Sequence, residues 1–396
     1  MASARSSRVI KPPSPPAVHA ELWTAGQRRA AAIHEISYRA CFKPQLPAYF
    51  IERHTKAGDV VYDPFSGRGT TAIEAALHGR KVIANDVNPL SARLAAPRLS
   101  VPTLAAVEAR LAEIPRTARV PKTPDLGMFF ERKTLREILG LRQWLSTRRA
   151  AGTADATDEW IGMVATNRLT GHSPGFFSVY SFPPNQAVSA RQQLRINAQR
   201  GQAPGYRDTH ALILKKSRAL LRGMDKVALK RLRAAGSSAR FLTGDARHTP
   251  QIASGSVALT VTSPPFLDVV DYAGDNWLRG WFNSLPVARI AAAITVPSTL
   301  PQWSLVMGAV LQELHRITRP GGVVAFEVGE VKKGAIKLDE AVLPLGLAAG
   351  FTCEAVLINS QRFTKTANIW GVANNTGGTN SNRIVVFRKG GKLRRT

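Results

Sequence analysis

Cysteine is nearly absent: Cys41 and Cys353 are the only two in 396 residues. Neither a disulfide framework nor a four-cysteine zinc site can be built from them, and a reducing cytoplasm is the expected compartment. His172 and His248 lie outside metal-ligand spacing, so no metal is assigned. Long apolar runs are missing too. No stretch approaches the roughly 20 residues that span a bilayer, and neither end carries a lipidation signal, so no membrane partner is expected. Met1 to Pro16 mixes Ser, Arg and Pro without an apolar core, which excludes an ordinary secretory signal and reads as a flexible basic arm. Acidic residues are the last scarcity. Lys and Arg total 54 against 27 Asp and Glu, a formal charge of +27. Such an excess implies a polyanionic partner, with nucleic acid the economical choice.

Strand-like runs recur at Val60 to Asp63 and Lys81 to Asp86 around a helical stretch from Thr70 to His78, a βαβ rhythm. Helical composition precedes them at Glu21 to Ala40 and Lys43 to Thr55. The rhythm stops near Pro97 and gives way to helical patterns at Lys133 to Arg149, Asp158 to His172 and Thr209 to Ala234. Strand signals return at Arg240 to Gly244, Val257 to Thr262, Gly322 to Val328, Thr352 to Asn359 and Arg383 to Arg388, with helical segments at Val269 to Phe282 and Thr299 to Arg319. The seven runs suffice for one doubly wound α/β sheet interrupted after its second strand. The expected organisation is a basic arm over 1–20, a first block over 21–96, a mostly helical insertion over 97–238, a second block over 239–388 and a basic tail over 389–396.

Val60-Val61-Tyr62-Asp63-Pro64-Phe65-Ser66-Gly67-Arg68-Gly69-Thr70-Thr71 is a strand entering a glycine turn and then a helix. Glycines permit positive φ and close backbone approach, so an adenosyl ligand can lie across the strand's carboxyl end. Asp63 can accept hydrogen bonds from a ligand ammonium, and Thr70 or Thr71 can cap the helix, whose N–H groups suit a carboxylate. Asp86 ends the next strand about twenty residues on, where an acid accepts ribose hydroxyls. An acid there suits NAD equally well.

A second apolar strand, Val257 to Thr262, delivers Ser263-Pro264-Pro265-Phe266. An aromatic amine is a poor nucleophile until its nitrogen is pyramidalised by acceptors fixed around its protons. Ser263 offers a side-chain oxygen and Pro264 a main-chain carbonyl held in direction by the paired prolines. Phe266 can stack on a base flipped out of a duplex. Methylation at a ring carbon would need a cysteine nucleophile, and neither Cys41 nor Cys353 follows a proline or ends a core strand.

The two stretches together, Asp63 to Thr71 and Thr262 to Phe266, resemble the bacterial and phage DNA amino-methyltransferases. The resemblance extends to Phe42-Lys43-Pro44-Gln45-Leu46-Pro47, similar to the segment that closes over the methionine end of S-adenosylmethionine in that family. It also reaches Gly244-Asp245-Ala246-Arg247, similar to the loop bordering the adenine, and Asp268 to Trp281, which follows the catalytic motif. It implies a Rossmann-like seven-stranded methyltransferase sheet, S-adenosylmethionine as cofactor and DNA, double-stranded by preference, as partner. Cofactor contacts are then expected from Phe42, Lys43, Pro44, Asp63, Phe65, Ser66, Gly67, Gly69, Thr70, Thr71, Asp86, Asp245 and Ala246, and catalysis from Ser263, Pro264, Pro265 and Phe266. Serine at the first catalytic position points to N4 of cytosine. Adenine N6, an RNA base and a non-catalytic nucleic-acid-binding role remain the alternatives, and a homodimer is left open.

Within the insertion, Gly171 to Ser181 is aromatic and glycine-rich. It is followed by Arg191, Gln192, Gln193, Arg195, Asn197, Gln199 and Arg200, a mixture of guanidinium and amide groups that read base edges or hold phosphates. Arg191, Gln192, Gln193, Arg195 and Arg200 are the expected DNA contacts. Lys215, Lys216, Arg218, Arg222, Lys226, Lys230, Arg231 and Arg233 decorate the next helix as phosphate contacts or plain solubility.

Overall fold

The structure is a computed structural model that describes residues 16–20, 30–39, 41–120, 124–183, 186–267, 271–295, 297–331, 335–360 and 381–390. Ten strands occur among them: β1 (Ala17–Ala20), β2 (Val60–Asp63), β3 (Lys81–Asp86), β4 (Arg240–Thr243), β5 (Val257–Thr262), β6 (Thr318–Val328), β7 (Glu330–Val331), β8 (Ile336–Lys337), β9 (Phe351–Ser360) and β10 (Ser381–Lys389). β7 and β8 pair as a separate ribbon, and the others form a single mixed sheet ordered β1-β9-β10-β6-β5-β2-β3-β4. Each neighbouring pair is parallel except those made by β10, which runs antiparallel to both β6 and β9.

This order is what positions the site. The chain lays β2, β3 and β4 outward in one direction and then returns to place β5 on the other side of β2. The crevice between β2 and β5 is therefore the topological switch point, where open α/β sheets bind ligands beyond the strand carboxyl ends. β5 is buried at all of its positions, as expected of a central parallel strand covered on both faces. Pro64, which cannot donate to a ladder, follows β2 at once.

All seven expected strands are present, and β1 is an eighth. The end of the expected basic arm is thus not free chain: Ala17–Ala20 pairs in parallel with β9. Its four residues, AVHA, were too short to stand out beside the proline-rich start. Glu21 to Ala40 is not the expected helix where it is described. Only Ala32–His34 turns, as a 3-10 segment; residues 21–29 and 40 lie outside the described residues. Thr209 to Ala234 divides into two helices, Thr209–Leu221 and Lys226–Gly236, with Gly223 at φ +74° between them. At the tail, Lys389 closes β10 and its Nζ donates to the carbonyls of His315 and Thr318; the rest of the tail from 391 lies outside the described residues, as do residues 361–380.

The segment between β3 and β4 is helical, as expected, but it is no detached lobe. Trp160, Ile138 and Ile213 from its helices share one continuous core with Ile73, Val82 and Leu259 of the sheet block. Among the described residues no helix is long and apolar enough to cross a membrane.

Candidate active site at the switch point

A cavity of about 960 Å³, its open mouth included, lies over the ends of β2, β3, β4 and β5. The glycine loop after β2 forms one wall. Gly69, in the left-handed region at φ +79°, is the residue before the helix Thr70–Leu77, and a Cβ there would come within 2.4 Å of the Ala95 Cβ. Only glycine fits both constraints. Gly67 lines the cavity, and its N–H donates to Asp86 Oδ2 at 2.8 Å. The other Asp86 oxygen accepts from the Asn88 N–H at 2.9 Å. From behind, the fully buried Arg98 guanidinium donates to the carbonyls of Ile33, Leu94 and Arg68.

Asp63 ends β2 beneath this loop. It is 1 % exposed, and its Oδ1 accepts from the Phe65 N–H at 3.1 Å and from the Thr262 hydroxyl at 2.7 Å. The second bond ties the ends of β2 and β5 together, immediately before Ser263. Asp63 does not itself line the cavity, so it acts through the residues it holds. Burial pushes its carboxyl up to about 7, against the pull of the Thr262 and Phe65 hydrogen bonds; burial likewise raises Asp86 to about 6.

The expected site residues divide in three. Phe65, Gly67, Asp86, Asp245, Ala246, Ser263 and Pro265 all line the cavity. Pro264, Thr70 and Thr71 do not, and neither threonine caps its helix: Gly69 holds the cap position, the Thr70 hydroxyl accepts from Arg68 Nε, and the Thr71 hydroxyl donates to the Val261 carbonyl. Phe42, Lys43 and Pro44 also stand away from the cavity, with Pro44 preceding the helix Gln45–His54. Phe266 is partly buried against a second apolar cluster instead. Asp245, at the mouth, is spent on an ion pair with Arg247 at 2.5 Å.

The structure adds residues that spacing did not reveal. Tyr38 lines the cavity, its Cε1 3.3 Å from where a Gly67 Cβ would lie, and burial holds its hydroxyl well above the usual range. It is gripped from both sides. Asn167 of the insertion exchanges two hydrogen bonds of 3.1 Å with the Ser37 backbone, and Arg39 Nη1 donates to Asp275 Oδ2 at 2.7 Å and to Gln186 Oε1 at 3.0 Å. Trp303, from the helix Leu300–Ile317, fills the far wall beside Met307 and Val310, and its indole N–H donates to the Pro265 carbonyl at 2.9 Å. Glu327 of β6, 4 % exposed, accepts from the Asn382 amide, and Ser263 is close enough to draw its carboxyl down against the effect of burial. None of these follows a motif that would have marked it.

In the insertion, Arg191, Gln192, Arg195 and Arg200 are exposed on the helix Ala190–Arg200. Gln193 is the exception. It is buried, and its amide donates to the Tyr180 carbonyl and the Asn197 side chain, so it shapes the helix seat and reads no base. Arg200 lies over the Tyr180 ring at 4.0 Å.

Residues 16–96 match the DNA methylase family of N6 and N4 type. Over 74 residues the chain is 36 % identical to the type II methyltransferase M.MjaII of Methanocaldococcus jannaschii, covering 18 % of this chain and 14 % of that protein. Over 55 residues it is 42 % identical to the malonyl-[acyl-carrier protein] O-methyltransferase of Pectobacterium atrosepticum, covering 14 % and 22 %. The chain thus spans less than a quarter of the length of these relatives. Among solved structures, the rRNA methyltransferase AviRa from Streptomyces viridochromogenes aligns over 93 % of this chain and 91 % of its own at 15 % identity and a TM-score of 0.36. The fold itself is mixed α/β with a largely parallel sheet. The match to the N6 and N4 DNA methylases, a family whose cofactor is S-adenosylmethionine, covers residues 16–96.

The residues present fit that cofactor. The Asp86 carboxyl lines the cavity and, among the described residues, has no cationic side chain among its hydrogen-bond partners, which suits a ligand that carries positive charge. The Ser66 hydroxyl, buried in the glycine loop, has no hydrogen-bond partner among the described residues. Ile294, Trp303 and Met307 give the cavity an apolar wall for an adenine ring.

Proposed function

We propose that this chain methylates the exocyclic amino group of a base in DNA, with N4 of a flipped cytosine as the target. One observation carries the reading: Ser263, at the end of β5, faces the same cavity as Gly67 and Asp86 at the ends of β2 and β3. S-adenosylmethionine supplies an electrophilic methyl group on its sulfonium. In this reading Gly67, Asp86 and Tyr38 hold the donor, and Asp63 fixes the two strand ends through Thr262. The Ser263 oxygen, which faces the cavity, accepts a hydrogen bond from the amine, concentrating the nitrogen lone pair toward the methyl group. Trp303 restrains the tetrapeptide by holding the Pro265 carbonyl. Transfer is then one in-line displacement with no covalent enzyme intermediate. The family match ends at residue 96, before the tetrapeptide, so the catalytic half of this reading rests on geometry.

Incubation with S-adenosylmethionine and mixed-sequence duplex DNA, followed by nucleoside mass spectrometry, is expected to yield N4-methylcytosine. N6-methyladenine instead would replace cytosine by adenine in the proposal, and modification of RNA alone would overturn the DNA assignment.

The insertion, 97–238, is proposed to meet the DNA through the helix Ala190–Arg200. Arg191 and Arg195 stand one turn apart on its exposed side, and the segment leading into it is tied to the stretch after the tetrapeptide: the Ala187 N–H donates to the Asp275 carbonyl at 2.9 Å and Trp277 Nε1 to the Val188 carbonyl at 3.1 Å. Each phosphate contact contributes about 0.9 to the slope of log affinity against log salt. Replacing Arg191 and Arg195 together by alanine is expected to reduce that slope by about 2 in a binding titration; an unchanged slope would remove this helix from the interface.

A further inference from the structure

The buried carboxyl of Glu327 has no role in the reading above, although it stands beside the central serine. In the parallel pairing of β5 with β6, Thr262 is opposite Phe326, so Ser263 and Glu327 are the next residues along the two strands. On the other flank, β10 pairs Ile384 with Glu327, and the Asn382 amide donates to Glu327 Oε1. The carboxylate is thus held by the Asn382 amide on one side and neighbours Ser263 across the β5–β6 register on the other. Among the described residues, two neighbouring charges are committed elsewhere. Arg383 pairs with Glu330 and Asp339, and Asp63 is bound to Thr262.

Resting on the methyltransferase reading, we propose that Glu327 is a positioning residue. It holds the Ser263 hydroxyl proton, turns the serine lone pairs toward the acceptor amine, and receives through Ser263 the proton that the amine sheds. A hydroxyl has one proton and two lone pairs, so a carboxylate that takes the proton leaves the oxygen free to accept. As the nitrogen lone pair forms the new N–C bond, the electrons of the C–S bond leave with sulfur. The cationic nitrogen then passes a proton to Ser263 Oγ while the serine proton moves to Glu327, which ends neutral and returns it to solvent. Burial raises the Glu327 carboxyl above the ordinary range, while the bonds from Ser263 and Asn382 pull it down.

The test is a double-mutant cycle in single turnover with saturating S-adenosylmethionine, across a pH series. Wild-type rate should fall in acid as Glu327 protonates. E327Q should be slower by about 10²–10³-fold, lack that acidic limb and keep its affinity for the inert analogue sinefungin. S263A/E327Q should be no slower than the slower single variant, because the two residues act as a unit. Independently of activity, the Glu327 carboxyl band in difference infrared spectra, assigned by its loss in E327Q, should titrate at higher pH in S263A, which lacks one donor to the carboxylate. Additive losses, or an infrared midpoint that S263A leaves in place, would overturn the proposal while wild-type methylation left the broader reading intact. Failure of wild-type protein to methylate any base would overturn both.

Discussion

Replacing Ser263 by alanine is expected to lower kcat by about 10²–10³-fold, the usual loss when one preorganised hydrogen-bonding group is removed from a reacting centre. Affinity for the cofactor should hardly change, because the groups assigned to the donor, Gly67, Asp86 and Tyr38, belong to other walls of the cavity. The physical reason for the split is that the Ser263 oxygen matters once the amine nitrogen begins to pyramidalise, a demand absent from the ground state. Single-turnover rates and calorimetry with sinefungin would separate the two quantities. A variant that retains full kcat would remove Ser263 from the reaction, and one that loses cofactor affinity in proportion would assign it to binding.

The second large effect concerns Asp63 and pH. Its carboxyl is held at about 7 in the folded protein against an ordinary value of 3.8, chiefly by burial. A raised acid favours its neutral form in the native state, so the folded protein binds more protons than the unfolded chain between these limits. Stability must therefore fall as pH rises through that window. The full difference is on the order of 4 kcal/mol, present as a cost above about pH 7 and absent below about pH 4. Asp63→Asn keeps an oxygen to accept from Phe65 and Thr262 while it removes the charge. Denaturant unfolding of the ligand-free protein at pH 8 and pH 5 is expected to show the variant gaining on wild type at pH 8 and losing most of that gain at pH 5. An equal difference at both values would mean that Asp63 is not the group that titrates.

Much of this was legible in the chain alone. The seven principal strands declare themselves as apolar, β-branched runs, and two of them end in sequences with recognisable chemistry, Asp63 to Thr71 and Ser263 to Phe266. Asp86, singled out by spacing, ends β3 and lines the cavity. Other residues were invisible for reasons that are equally physical. Tyr38 and Trp303 lie in segments with no motif and reach the cavity because of what Asn167, Arg39 and the Pro265 carbonyl hold in place. Gln193 reads in sequence like a neighbour of Arg191 and Gln192, yet the helix turns it inward, where its amide satisfies the Tyr180 carbonyl. Thr70 and Thr71 resemble helix caps, but the left-handed Gly69 takes that position.

The sequence by itself determined where the strands run, which of them end in a glycine turn or in Ser-Pro-Pro-Phe, and the sign of the charge the surface presents. Hydrophobic periodicity and backbone chemistry are local, and a local pattern suffices to specify them. Only the tertiary structure decided that β5 returns to the side of β2, that Thr262 reaches Asp63 across 199 positions of chain, and that Glu327 and Asn382 meet on the two strands next to the end of β5. Strand order is settled by which faces bury together, and such long-range contacts leave no spacing in the sequence to count.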